Sequence, residues 1–153
     1  MPQTVTGMRD RIRILVRVGL GALLVWAAVA KLRDPHAFAQ DIANYRILPA
    51  SLVAPVAATL PGVEIVVGLA LVLAAWRRAA AAAAFWLLVL FALAVGAALV
   101  RGINIECGCF GATGRPATWW TFARDLGLSA AALFVFATSP ERPVAPLSSA
   151  DPT

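Results

Sequence analysis

The chain has only two cysteines, Cys107 and Cys109, and a single glycine separates them in the run RGINIECGCFG at residues 101–111. Such a pair can close a disulfide only through a small, strained ring, for which Gly108 supplies the backbone freedom. Strained and exposed disulfides have more oxidising potentials and tend to be the labile or catalytic ones. Arg101 and Arg115 flank the pair and would favour the thiolate, the reacting species in exchange. Two blander chemistries compete. Thiolates in a C-x-C pattern select Cu(I), but that ion needs further ligands, and His36, Met1 and Met8 are the only other soft candidates. A structural disulfide closing so short a loop restricts little unfolded-chain entropy and stabilises poorly. Thiol–disulfide exchange is therefore the leading expectation, and no metal site is assigned.

A second group of reactive residues comprises Glu64, Arg124 and Asp125, each set within a long apolar stretch. Charges so placed are costly unless they are paired or face a cavity. Arg124 and Asp125 are neighbours and point about 100° apart on a helix, so they are not expected to satisfy one another. The simplest solution is a Glu64–Arg124 pair, with Asp125 turned toward the external mouth and Lys31 or Arg101. Such a network serves either as an interhelical clamp or as a proton path or quinone-head contact near the cysteines.

The elements that must hold these residues follow from composition. Of 153 residues, 61% are apolar and 14% charged, against about 45–50% and 25% in ordinary soluble domains. That excludes a disordered chain and an ordinary soluble fold. The net charge of +5 flanks apolar runs, which suits membrane orientation and gives no nucleic-acid face. A bilayer crossing needs roughly 20 apolar residues. Four runs qualify, at about residues 14–30, 51–76, 79–100 and 117–138. The fold class expected is an all-α membrane protein. It is a four-helix transmembrane bundle forming a single membrane domain over residues 1–138, and residues 139–153 are expected to be a disordered cytoplasmic tail.

Arg17 lies one turn inside the first span, where it can snorkel to the interface. The run ending Ala28-Val29-Ala30 also fits a signal peptide with an A-x-A site. Against cleavage stand Arg17 inside the run and the odd three-span remainder. Counting basic residues near span ends with the N-terminus inside gives six cytoplasmic (Arg9, Arg11, Arg13, Arg77, Arg78, Arg142) and five external (Lys31, Arg33, Arg46, Arg101, Arg115). This bias puts both termini in the cytoplasm of a bacterial inner membrane and the cysteines on the oxidising, periplasmic side. Between spans one and two, Asp34-Pro35 reads as an N-cap followed by proline at the first helical position. Phe38, Ile42 and Tyr45 then recur at helical spacing, which predicts a short amphipathic helix on the external surface. The alanine run 79–84 reads as a small-residue packing face. Trp76, Trp119 and Trp120 sit at span ends as an interfacial belt, while Trp26, Phe85 and Trp86 are expected to pack helices or lipid. His36 is read as a solvated surface residue.

The motif Cys107-Gly108-Cys109-Phe110-Gly111 after the third span resembles the signature of the MauE family, the methylamine-utilisation membrane proteins. Arg17-Val18-Gly19-Leu20-Gly21, Lys31 with Asp34-Pro35, Phe38, Tyr45, Leu48-Pro49, and Pro61 with Glu64 and Gly68 extend the likeness to the wider DoxX-like four-span proteins. It covers roughly residues 14–138. The resemblance implies a role in maturing methylamine dehydrogenase, whose small subunit needs disulfides, beside a thioredoxin-like periplasmic partner similar to MauD. The likeness to four-helix, quinone-linked disulfide formers is an analogy; by it, a membrane quinone would accept the electrons, although no quinone motif is present. The competing class is a non-enzymatic DoxX-like anchor or assembly subunit of a quinone-linked oxidoreductase.

Overall fold

The computed structural model describes residues 3–74, 76–103 and 118–139. Five helices follow one another: α1 Gln3–Arg33, α2 Pro35–Asn44, α3 Ala50–Val72, α4 Arg77–Val100 and α5 Trp119–Thr138. Four of them (α1, over Gly7–Arg33, with α3, α4 and α5) are long and apolar enough to cross a membrane. Among the described residues there is no strand. The chain is a multi-pass, all-α membrane protein. At 1.5 Å per residue, the 20–24 residues of α3, α4 and α5 reach about 30–36 Å, the thickness of a hydrocarbon core.

Two antiparallel pairs build the bundle. The more extensive contacts are α1 on α3 and α4 on α5, and the pairs join through α3–α4 and α1–α5. Small residues let the backbones approach, as packing without a hydrophobic drive in lipid requires. At the α1–α3 crossing, a Cβ on Gly68 would lie 2.7 Å from the Gly21 carbonyl oxygen and 2.8 Å from a Val25 methyl. Gly68→Val is thus expected to force the two helices apart and cost about 1–3 kcal/mol. The check is a lowered midpoint of thermal unfolding in detergent, with Gly62→Val, where nothing lies within 4 Å, unchanged.

The expected alanine face is real: Ala80, Ala81 and Ala84 are buried in a core with Leu24, Leu71, Leu88, Ala132 and Val135. The outward surface is apolar too, with Leu15, Val66, Trp86, Leu90 and Trp120 all more than 60% exposed. Lipid, rather than water, is the solvent that makes such a surface stable. Trp76 and Trp119, at helix ends, are exposed as an interfacial belt requires.

The ends of two helices depart notably from the sequence expectation. The first helix runs on to Arg33, past residue 30, so Lys31 belongs to the span and not to the following loop. The third helix stops at Val72, short of Trp76, because Ala74 and Trp76 adopt left-handed backbone (φ 58° and 43°) in the turn to α4. The short helix begins where expected: Asp34 Oδ1 accepts from the Ala37 N–H at 2.9 Å, Pro35 follows, and Phe38 turns into the core. His36 is exposed. The tail beyond Ser139 lies outside the described residues.

A buried charge cluster among the spanning helices

Cys107 and Cys109, with Arg115, lie outside the described residues, but both ends of their segment are defined. The α4 helix ends with Arg101 as C-cap, and Gly102 takes φ 64° so that its N–H reaches the Leu99 carbonyl, followed by Ile103 N–H to Ala98. This left-handed position is one that glycine fills without a Cβ penalty. Arg101 Nη1 donates to the Tyr45 and Arg46 carbonyls at 3.2 and 3.3 Å, tying the exit of α4 to the end of α2. On the far side, Thr118 and Thr121 form a reciprocal capping box that starts α5. The segment 104–117 therefore connects two helix ends on the same face of the bundle as α2.

Below that face lies a cluster of four charges. Lys31 Nζ donates to both carboxylate oxygens of Glu64, at 2.9 and 3.0 Å, and approaches the Ala27 carbonyl at 3.5 Å. Both side chains are essentially inaccessible, at 1% and 0% exposure. Each Cα–Cβ bond in a helix leans toward the N-terminus, so the lysine stem runs back along α1 and delivers its ammonium to the middle of α3. The same ammonium sits 5.5 Å from the ring centroids of Phe38 on α2 and Phe91 on α4, positions that cation–π attraction favours. One side chain thus ties α1 to α2, α3 and α4.

Arg124 and Asp125 do pair, contrary to the expectation from their adjacency. Arg124 Nε and Nη2 both donate to Asp125 Oδ1, at 3.1 and 2.9 Å. A guanidinium at the end of a long flexible stem can curl around the helix; the 100° between Cα–Cβ bonds does not bind its tip. The Glu64–Arg124 pair does not form, because Lys31 already occupies both oxygens of Glu64. Nor is Arg124 central: its side chain is 39% exposed, while that of Asp125 is 1%. The second carboxylate oxygen, Asp125 Oδ2, is buried with no hydrogen-bond partner among the described residues. A buried acceptor left unmade costs about 1–3 kcal/mol. Such a group marks strain, function or an unseen partner.

The sequence reading names Glu64, Arg124 and Asp125, with Lys31 or Arg101 as a partner for Asp125, but it does not put Lys31 on Glu64 or Phe38 and Phe91 beside that ammonium. The signal was charge balance. Two carboxylates and one guanidinium leave one negative charge over, and Lys31 sits in the same helical run, which breaks only at Pro35. No group of three or more His, Cys, Asp or Glu residues with metal-binding geometry occurs among the described residues.

Comparison with known proteins bears on the whole chain. The chain is 38% identical over 122 residues to "Methylamine utilization protein MauE" of Paracoccus denitrificans, covering 78% of this chain and 66% of that one. The protein of that name from Methylophilus methylotrophus is 41% identical over 88 residues, covering 57% and 46%. That from Methylorubrum extorquens is 36% identical over 132 residues, covering 85% and 71%. The chain therefore spans between about half and two thirds of the first two relatives it matches. No solved structure matches it. The family model described as "Methylamine utilisation protein MauE" matches residues 9–138, from the arginine cluster of α1 through the buried charges to the end of α5, and the chain belongs to that family.

Proposed function

We propose that this protein is the membrane component of a thiol–disulfide exchange system, with Cys107 and Cys109 as its redox pair, serving methylamine utilisation as the names of its relatives suggest. The observation that carries the reading is a juxtaposition. The segment holding both cysteines joins α4 to α5, the helices that supply Phe91 and Asp125 to the buried charge cluster, and there Asp125 Oδ2 has no hydrogen-bond partner among the described residues. The segment faces the periplasm in this reading, with both termini in the cytoplasm of the inner membrane.

The partner is a thioredoxin-like protein carrying a dithiol. One partner thiolate attacks a sulfur of the Cys107–Cys109 disulfide, breaking the S–S bond and forming a mixed disulfide. The second partner thiolate then displaces the protein's cysteine. The partner leaves oxidised, and two electrons and two protons remain as the Cys107 and Cys109 thiols. A membrane quinone would take both to become quinol and so restore the disulfide. Asp125 Oδ2 is suited to accept one proton in that second half and pass it on, while the Lys31–Glu64 pair holds the helices around it.

Reconstitution in liposomes tests this. The partner's dithiol should be oxidised only when the protein and a quinone are both present. Oxidation that proceeds equally without the protein would leave the anchor reading in its place. Asp125→Asn preserves shape and removes the proton acceptor. It is expected to leave the thermal midpoint within a few degrees of the parent and to slow exchange about a hundredfold, the usual scale of a lost general base. Full activity in that variant would remove Asp125 from the mechanism.

A further inference from the structure

At the opposite end of the bundle, a different set of charges has no counterpart in the exchange reading. Arg9, Arg13 and Arg17 recur every four residues and so line one face of α1. Arg77 and Arg78 open α4, and α5 ends beside them at Thr138 and Ser139. Two adjoining cavities lie between these helix ends. The smaller, of about 90 Å³, is lined by Arg13, Ile14, Arg17, Arg77 and Ser139. The larger, of about 490 Å³, is lined by Arg9, Asp10, Arg13, Phe134 and Thr138.

Within this cluster some cations are already engaged. Arg13 donates to the Thr138 carbonyl at 2.8 Å and pairs with Asp10 at 3.1 Å. Arg78 lies 4.8 Å over the ring of Phe136. Arg17 is different: its Nη1 is buried and has no hydrogen-bond partner among the described residues. Among the described residues, the smaller cavity thus gathers three guanidinium groups and no acid, one of them with a buried donor lacking an acceptor. A buried cationic N–H without an acceptor is costly, and an anion removes that cost.

We infer that this cavity binds the phosphodiester of an anionic phospholipid, held between Arg13, Arg17 and Arg77. The depth favours a lipid over free phosphate. Arg17 lies a full turn closer to the hydrocarbon than Arg13, and the apolar side chains of Ile14 and Phe134 line the route by which an acyl chain would leave. Basic pockets between transmembrane helices bind such headgroups, and guanidinium groups grip phosphate oxygens in pairs.

The test is native mass spectrometry of the intact chain released from nanodiscs of mixed cardiolipin and phosphatidylcholine, with thermal unfolding in detergent as a second measurement. Cardiolipin should be retained at least about tenfold over phosphatidylcholine and should raise the unfolding midpoint. Arg17→Gln should lower retention about tenfold, the equivalent of one lost charge-assisted contact. Arg77→Gln, at an exposed position, should do likewise without endangering the fold, whereas Arg33→Gln at the other end should change nothing. Equal retention of both lipids, or unaltered retention in both cavity variants, overturns the proposal. So does protection by millimolar inorganic phosphate equal to that by cardiolipin, which would make the site one for free phosphate.

Discussion

Glu64→Ala is expected to destabilise the bundle by about 3–5 kcal/mol, because it strands the Lys31 ammonium in a dry interior. The loss should be large because Lys31 and Glu64 are both inaccessible and the pair satisfies both carboxylate oxygens. Lys31→Ala should cost a similar amount for the opposite reason, leaving the carboxylate alone. Replacing both at once, Lys31→Met with Glu64→Leu, removes the desolvation cost along with the attraction. Substitution of buried pairs by apolar side chains is often neutral or stabilising. The double variant should therefore fold about as well as the parent, and a double-mutant cycle on thermal midpoints, with Lys31→Met and Glu64→Leu also made singly, checks it. If the two single losses simply add, Lys31 and Glu64 do not act on each other in the way the geometry requires.

That cycle also separates the two roles of the cluster. Glu64→Gln keeps the side-chain shape and an oxygen acceptor for Lys31. An intact bundle that no longer oxidises thiols would give the carboxylate a part in proton movement. A collapsed bundle would make it a clamp. The contacts of Lys31 with α2, α3 and α4 favour the clamp for this pair, and Asp125 Oδ2, without a partner among the described residues, is the better proton acceptor.

The second large effect concerns the cysteines. Cys107→Ser and Cys109→Ser are each expected to reduce oxidation of the partner dithiol to the rate seen without the protein, since a disulfide needs both sulfurs. In the reverse direction, the variant that keeps the attacked cysteine should open the oxidised partner's disulfide, its thiolate forming a mixed disulfide as one partner thiol is released, and this species should accumulate because no neighbouring cysteine resolves it. Non-reducing electrophoresis of the membranes identifies which sulfur is attacked. Variants that oxidise the partner at the parental rate would assign the protein to the anchoring class.

Much of the architecture was readable before any coordinates. Four apolar runs of bilayer length have no stable alternative to spanning helices, and Asp34-Pro35 fixes the start of α2 by cap chemistry alone. Helix ends were less legible. Trp76 is apolar and extends the hydrophobic run, yet the chain turns before it, since a left-handed backbone leaves no mark on a non-glycine residue. The charges were found as a set and paired wrongly. Spacing along one helix says where Cβ atoms lie, but lysine and arginine tips reach several ångströms beyond them. Lys31 is accordingly expected on the external side with Asp125 and not on Glu64, and Arg124 is not expected to reach Asp125.

The state of Cys107 and Cys109 in the living membrane tests the central claim most directly. Intact cells are treated with a membrane-impermeant alkylating reagent before and after mild reduction, and the mass added to the protein is measured. A working disulfide on the outer face predicts no label before reduction and two labels after it, with the partner's dithiol more reduced in cells lacking the protein. Two labels under both conditions, with the partner's redox state unchanged, would contradict the exchange function.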